Sequence, residues 1–304
     1  MVADAPYVVV VGGANVDVQG RSHGPIVAGD SNPGTAVRTP GGVGRNVAHG
    51  VASLGVDTRL ITALGDDEDG RWLHAVTSAA GVDLSDVVWS ALPSARYLAV
   101  LDEDGELVAA VNDMAVVDDL DAAAIAERAG VIDRADAVVV DANLARPTLE
   151  AVAEHARTLF VDPVSVAKST RVDGLLDRVH TIKPNRAELA ALTGHDVTDE
   201  AAVRAAAAAL VERGVRRVVV SLGQDGVLVA EPGRVVALPL DEGTVAGTSA
   251  VASVTGAGDA MLAGLVVGHL RHAGSDEAVR FAMACAAEAV RSQGAVPGQG
   301  AGTG

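Results

Sequence analysis

The chain has 304 residues, of which 49% are hydrophobic and only 2% aromatic, and its formal net charge is −17 at pH 7. The acidic balance argues against binding to nucleic acid or to anionic membranes, because both require a basic surface. The single cysteine, Cys285, excludes an internal disulfide, and no secretion signal or bilayer-spanning apolar stretch is found, so we expect a cytoplasmic protein.

Short Val-rich runs alternate with Ala- and Leu-rich helical stretches along most of the chain. Strands are predicted at residues 7–11, 59–63, 137–141, 159–162, 180–182 and 217–222. Helices are predicted at residues 43–54, 69–80, 120–129, 148–156, 200–212, 257–271 and 275–291. Nearly continuous apolar strands separated by helices predict an α/β fold with a mainly parallel sheet covered on both faces. In such sheets, ligands bind at the carboxyl ends of the strands.

Two regions break this alternation. Residues 19–40 are polar and rich in Gly, Ser and Pro, and residues 94–114 indicate two strands, 97–101 and 107–111, around an acidic turn. We expect these regions to form a small sheet outside the main one, acting as a flap that excludes water from a substrate. The alternative is a surface hairpin without a role.

The segment 254–265 is the most informative motif in the sequence, because a glycine-rich turn there opens directly into an apolar helix. The small residues Gly256, Ala257 and Gly258 let backbone N–H groups approach an anion, and the helix N-terminus adds partial positive charge. Asp259 would repel a phosphate, unless it accepts a proton from an attacking hydroxyl group. The turn therefore indicates a kinase that acts on an alcohol. The alternative is a tight turn whose carboxylate complements the helix dipole.

Other nucleotide-binding motifs fit the sequence less well. There is no Gly-x-x-x-x-Gly-Lys-[Ser/Thr] sequence, and hence no P-loop. The Gly-x-Gly sequence at Gly256 does not complete a dinucleotide-binding fingerprint, because Met261 stands where the third glycine or an alanine is required.

Two further motifs accompany the turn. One is Gly-Gly-Val-Gly-Arg-Asn, from Gly41 to Asn46, and the other is Asn-x-x-Glu, from Asn185 to Glu188. This ordered set resembles the ribokinase-like (PfkB) family of sugar and nucleoside kinases over essentially the whole chain. The resemblance implies a three-layer α/β core as a single domain, residues 1–304, with a small β lid contributed by about residues 15–40 and 94–114.

The resemblance also implies roles for individual residues. Asp259 matches the catalytic base of the family, and Gly256, Ala257 and Gly258 match its backbone anion hole. The substrate-binding positions are Asn15, Asp17, Gly41, Gly42 and Asn46. The amide and carboxylate groups suit a ribose, since asparagine donates and accepts hydrogen bonds and aspartate accepts two hydroxyl donors.

For the cofactors, the resemblance implies ATP and Mg²⁺. Asn185 and Glu188 match the family positions that order Mg²⁺ and phosphates through water, which suits an ion that keeps much of its hydration shell. The loop carrying Ser221, Gly223 and Gly226 matches the nucleotide-binding loop. Potassium activation is in doubt, because Ser253 stands where many relatives have an acidic residue. Lys168 is either a phosphate or substrate contact or a solvated lysine.

Shorter motifs are similar to one branch of the family, the bacterial pseudouridine kinases. They lie at residues 13–18, 30–34, 112–114, 161–165 and 181–186. That branch transfers the γ-phosphoryl group of ATP to the 5′-hydroxyl of pseudouridine, and lids in the family often pair into homodimers. Ribose, another pentose or another nucleoside are alternative substrates, and a non-catalytic nucleoside-binding regulator is an alternative function.

Overall fold

The computed structural model describes residues 6–240 and 256–294. Its strands in chain order are β1 (Tyr7–Val11), β2 (Asn15–Ser22), β3 (Gly34–Gly41), β4 (Asp57–Ile61), β5 (Ala63–Gly65), β6 (Val82–Asp83), β7 (Val88–Ser90), β8 (Arg96–Leu101), β9 (Leu107–Asp113), β10 (Ala137–Asp141), β11 (Leu159–Asp162), β12 (Val179–Ile182), β13 (Arg217–Ser221), β14 (Val227–Glu231) and β15 (Arg234–Leu238). Its α-helices are α1 (Val43–Ser53), α2 (Glu68–Ala79), α3 (Ala122–Ile132), α4 (Arg146–His155), α5 (Val166–Ser169), α6 (Arg186–Thr193), α7 (Glu200–Glu212), α8 (Ala257–Leu270) and α9 (Ser275–Gly294).

A nine-stranded sheet forms the centre of the molecule, in the order β15-β14-β13-β12-β11-β10-β1-β4-β6. From β13 to β6 every neighbouring pair is parallel, whereas β14 and β15 add an antiparallel hairpin at one edge. The α/β prediction is confirmed. The hairpin was not predicted, because the sequence analysis placed no strand after residue 222.

Both faces of this sheet are buried under helices. In β1, Val9 and Val11 pack into one apolar cluster, while Val8 and Val10 pack into a second on the opposite face. Helices α3, α4 and α7 contribute buried side chains to the first cluster, and α1, α8 and α9 contribute to the second. Burial on both faces explains the continuous apolar sequence of the strands.

A separate four-stranded sheet, in the order β3-β2-β8-β9, stands apart from the central sheet, and we call it the lid. The prediction of a small second sheet is confirmed. The polar region 19–40 contributes most of β3 and the second half of β2, which begins earlier, at Asn15. Both lid edges are solvent-exposed, since every residue of β9 is exposed and so are the first six of β3.

Several boundaries differ from the sequence prediction. The strand predicted at 59–63 ends at Ile61, and the chain then enters β5, which pairs with β7 in a two-stranded sheet. The helix predicted at 120–129 begins at Ala122, because the side chain of Asp121 caps the N–H of Ala124. In the part of the chain that the structure describes, no helix is long and apolar enough to cross a membrane.

Candidate active site

Four polar side chains stand where strands of the central sheet end. Asp141 closes β10, Asp162 closes β11, Lys183 follows β12 and Ser221 closes β13. The carboxyl ends of parallel strands meet at one edge of a sheet, which is where ligands bind in this architecture. The first three are almost completely buried, so each needs a partner inside the protein.

The predicted catalytic turn lies at the start of α8. Gly256 precedes the helix in the left-handed region, with φ of 88°, and no side chain caps the helix N-terminus. The first N–H groups of an α-helix have no intrahelical acceptor, so the turn keeps the donors that an anion hole requires. Asp259 lies in the first turn, and its Oδ2 accepts a hydrogen bond of 2.9 Å from Nδ2 of Asn46. Val254, Thr255 and Ser253 lie outside the described residues.

The environment of Asp259 favours a proton acceptor that works near neutral pH. Burial is the main cause, and with the neighbouring carboxylates of Asp162 and Asp141 it raises the pKa of Asp259 to about 7. The hydrogen bond from Asn46 and the ammonium group of Lys183 oppose this rise. A carboxylate with such a pKa is a better base at pH 7 than an ordinary aspartate.

A buried ion pair lies behind the turn. Nζ of Lys183 lies 3.3 Å from Oδ2 of Asp162, and only 6% and 7% of the two side chains are exposed. A Cβ atom at Gly258 would lie 3.1 Å from the same Nζ, so the absence of a side chain there makes room for the ammonium group. Burial opposes the charge on Lys183, but the carboxylates of Asp162, Asp259 and Glu188 outweigh it and raise its pKa.

Sequence reasoning did not assign Lys183, Asp162 or Asp141 to the site. Asp141 accepts hydrogen bonds of 2.9 Å from the N–H groups of Gly13 and Asn143, which fixes the turn that follows β1. Burial raises the pKa of Asp141, against the effect of those two donors. The sequence does carry one signal for these residues, which is their position. Each is a charged residue that stands at, or directly after, the carboxyl end of an apolar strand.

The predicted ribose-binding residues meet where the lid joins the core. Nδ2 of Asn15 donates to Oδ1 of Asp17 over 2.6 Å, and burial raises the pKa of Asp17 despite that bond. A side chain at Gly41 would clash with the Asp17 carboxylate. Gly42 adopts φ of 97° and is the residue from which α1 begins, which places Asn46 in the helix's first turn.

Asn185 and Glu188 form a capping box at the start of α6. The side chain of Asn185 accepts the N–H of Glu188 at 2.8 Å, and Oε2 of Glu188 accepts the N–H of Asn185 at 2.9 Å. Burial raises the pKa of Glu188, while the Asn185 N–H acts in the opposite direction. The motif therefore also has a structural function at the start of α6.

These residues also fit an ion that is held through water. Residues 6–240 and 256–294 contain no group of three or more His, Cys, Asp or Glu side chains arranged to hold a metal. Mg²⁺ usually binds through one or two carboxylates, its own waters and substrate phosphates, and Oε1 of Glu188 is not used in the capping box.

The predicted nucleotide loop lies beside this capping box. The N–H of Ser221 donates to the carbonyl of Pro184 over 3.0 Å, and Ser221 forms a parallel β-bridge with Asn185. Gly223 and Gly226 both have positive φ, 64° and 85°, and enclose a short 3₁₀ turn. The structure thus brings the Asn-x-x-Glu motif and the loop together.

Lys168 is half-buried, and its Nζ donates to Oδ1 of Asn143 over 2.6 Å. Burial lowers its pKa, the Asp141 carboxylate raises it and Arg171 lowers it further. The ammonium group of Lys168 is therefore hydrogen-bonded at the strand ends, and the choice between a substrate contact and a solvated lysine stays a prediction.

Comparison with known proteins decides the family. A model of the pfkB family carbohydrate kinases matches residues 5–299. The chain belongs to the PfkB family. This PfkB protein is 37% identical to the pseudouridine kinase of Escherichia coli over 93% of its own length and 90% of the relative's. It is 26% identical to the ribokinase of Haemophilus influenzae, covering 84% and 82% of the two chains.

The fold agrees with that assignment. The ribokinase of Arabidopsis thaliana, solved with ribose and ATP, superposes with a TM-score of 0.80 at 24% identity, over 97% of this chain and 94% of the other. The ribokinase-like fold is therefore confirmed. As a PfkB-family member, the protein is an ATP-dependent kinase whose acceptor is a sugar or a nucleoside.

Proposed function

We propose that the protein is a pseudouridine kinase, which transfers the γ-phosphoryl group of ATP to the 5′-hydroxyl of pseudouridine. The observation that carries the catalytic part is Asp259, which stands in an uncapped helix N-terminus at the ligand-binding edge of the sheet. The choice of substrate is supported by the 37% identity to a pseudouridine kinase over nearly the full length of both chains.

In this proposal the ribose lies at the root of the lid. The residues that hold it are Asn15, Asp17, Gly41, Gly42 and Asn46. The paired side chains of Asn15 and Asp17 offer both donors and acceptors to the ribose hydroxyl groups. The lid face that carries Asp17 also carries Tyr97 and Asn112, because these three residues are direct partners across neighbouring strands. The base would lie along that row.

Asp259 acts as the general base. The 5′-oxygen attacks the γ-phosphorus while the bond to the β,γ-bridging oxygen breaks, ADP leaves, and the hydroxyl proton passes to the Asp259 carboxylate. The N–H groups at Gly256, Ala257 and Gly258 stabilise charge on the transferring group. Because the transition state of phosphoryl transfer is loose, positioning and electrostatics supply most of the rate enhancement.

ATP would lie along the strand ends beside Ser221, Gly223 and Gly226. Asn185 and Glu188 would hold Mg²⁺, with Glu188 acting through water. When bound, the metal offsets negative charge on the phosphates. Lys168, close to Asn143 at the same edge of the sheet, is placed to contact the phosphates or the substrate.

We also propose that the chain is a single domain and that two copies pair through their lids. Leu98 and Val111 are direct cross-strand neighbours, and Val100 lies on the same face of the sheet. The exposed fractions are 42% for Leu98, 61% for Val111 and 45% for Val100. A contiguous apolar patch that is exposed on a sheet face often marks a surface that another molecule covers. A second copy would bury them. Analytical ultracentrifugation of wild type and of Leu98→Lys tests this, because a monomeric wild type contradicts it.

The substrate assignment is tested with an acceptor panel. With Mg²⁺ and ATP, pseudouridine should give the highest kcat/KM among pseudouridine, uridine, cytidine, adenosine and free ribose, and the product should carry a 5′-phosphate by ³¹P NMR. A clear preference for ribose would make the protein a ribokinase, a family activity that one of its relatives has. Binding of pseudouridine without phosphorylation would favour a nucleoside-binding regulator.

A further inference from the structure

Arg45 is a buried cation beside the site that the mechanism does not use. It lies in the first turn of α1 and is only 7% exposed. Its NH1 donates to Oδ1 of Asn46 over 3.2 Å, and its Nε donates to Oγ1 of Thr77 over 3.4 Å. No carboxylate of residues 6–240 or 256–294 forms an ion pair with it. Neighbouring helical residues normally point apart, so its contact with Asn46 requires the long side chain to fold back.

The Asn46 amide stands between this guanidinium group and the Asp259 carboxylate. A guanidinium group only donates hydrogen bonds, and an ionised carboxylate only accepts them. An amide between the two satisfies both in a single orientation, with Oδ1 toward Arg45 and Nδ2 toward Asp259. The structure has this arrangement, with distances of 3.2 Å and 2.9 Å. Without Arg45, the contact with Asp259 alone would select this orientation, and the Oδ1 atom would lose its buried donor.

We propose that Arg45 is a positioning residue that fixes the orientation of the Asn46 amide, so that its Nδ2 group donates to Asp259. The inference rests on the proposed role of Asp259 as the base. Its consequence for catalysis is that Asp259 stays ionised and correctly aimed, because a donated hydrogen bond stabilises the charged form of a carboxylate.

The other charged groups near the hydrogen bonds that link Arg45, Asn46 and Asp259 do not replace Arg45. Asp141, Asp162 and Lys183 face Asp259 from the strand ends, and all three are fixed by bonds of their own. His49, on α1, has its pKa lowered by burial and by Arg45, so it stays neutral near pH 7.

The test compares Arg45→Met, which removes all donors, with Arg45→Lys, which is also donor-only. Thr77→Val is the matched control, because it removes the other acceptor of the guanidinium group and leaves the contact to Asn46. The readout is the ¹³C titration of the Asp259 carboxyl group in the full chain, assigned by its loss in Asp259→Asn. The acid limb of the pH profile of kcat/KM is measured in parallel.

We expect Arg45→Met to move the midpoint of the Asp259 titration upward by about one pH unit, which lowers kcat/KM roughly tenfold on the acid side. Arg45→Lys should recover most of this change, and Thr77→Val should show none. In an Asn46→Ala background, Arg45→Met should add no further shift, since Arg45 acts through the amide. If Arg45→Met does not fold, the same titrations are made on Arg45→Lys and Arg45→Gln, each in the wild-type and the Asn46→Ala background.

An unmoved Asp259 midpoint in folded Arg45→Met, or an equal shift in the Asn46→Ala background, would overturn the inference. The carboxyl titration does not need turnover, so an absence of kinase activity in wild type would contradict the proposed function and leave this test intact.

Discussion

Nδ2 of Asn46 lies 2.9 Å from Oδ2 of Asp259, and this contact joins two residues that are 213 apart in sequence and lie near the starts of two helices. Helix α1 begins directly after the lid strand β3, and α8 begins with the catalytic turn. One hydrogen bond therefore connects the helix that follows lid strand β3 to the proposed base. Each group is therefore carried near the start of a helix that contributes buried residues to the core.

The raised pKa of Asp259 predicts a pH dependence of activity. The base must be ionised to accept a proton, so kcat/KM should fall about tenfold per pH unit below a midpoint near pH 7. The profile of kcat/KM reports the free enzyme, in which this midpoint applies. A profile that stays flat down to pH 5 would show that Asp259 is ionised well below the expected range or does not act as the base.

The same pKa predicts how stability depends on pH. The folded protein holds the Asp259 proton more tightly than the unfolded chain, whose pKa is 3.8, so ionising it costs stability. Stability should fall as pH rises from about 4 through 7, and the full cost should be present above pH 7. Asp259→Asn removes this cost. In urea unfolding, the variant should be more stable than wild type at pH 8, and the difference should shrink toward pH 5.

The buried pair of Lys183 and Asp162 predicts a strong effect of removing one partner. Lys183→Met leaves the Asp162 carboxylate buried and unpaired, which should cost about 3–5 kcal/mol of unfolding free energy. The double variant Asp162→Asn with Lys183→Met removes both charges of the pair and should recover much of that loss. A Lys183→Met protein as stable as wild type would mean that the pair is solvated in solution.

Much of the fold could be predicted because its signals are local. The apolar strand at Tyr7–Val11 and the helix at Glu200–Glu212 appear in the structure with the predicted ends. The edge hairpin β14–β15 was missed. Its strands are apolar like those of the parallel sheet, and only the Pro-Gly dipeptide at residues 232–233, which marks a turn, indicates that the chain reverses there.

The candidate site was predictable only in part. Asp259 could be predicted because a carboxylate at an anion-binding helix start would repel a phosphate unless it accepted a proton. Lys183 and Arg45 lie in motifs whose other residues match the family positions, so the sequence assigned them no role. Their importance depends on long-range contacts, such as the one between Lys183 and Asp162 at 3.3 Å. For Asn185 and Glu188, the sequence pattern has two meanings, because the spacing of the proposed magnesium motif is also that of a capping box.

If the lid excludes water from the site, removing part of it should change the ratio of phosphoryl transfer to ATP hydrolysis. Replacing residues 98–111 with a short Gly-Ser turn removes most of β8 and β9 but keeps Arg96, whose Nε donates to the Asp69 carboxylate over 2.6 Å. The core should remain folded, phosphorylation of pseudouridine should fall, and ATP hydrolysis should rise relative to transfer, since closure excludes water. Circular dichroism checks folding, and paired assays of ADP and nucleotide product check partitioning. Unchanged transfer by the folded deletion variant would reduce the lid to a surface hairpin.

The central claim is that Asp259 is the base of a phosphoryl transfer, and kcat of Asp259→Asn with Mg²⁺, ATP and pseudouridine tests it most directly. The substitution keeps the size of the side chain and removes the proton acceptor, so kcat should fall by ~10²–10⁴-fold or more. Binding of nucleoside and ATP, followed by calorimetry, should persist because Asp17 and the loop at Ser221 are unchanged. A folded Asp259→Asn protein whose kcat stays near that of wild type would contradict the account.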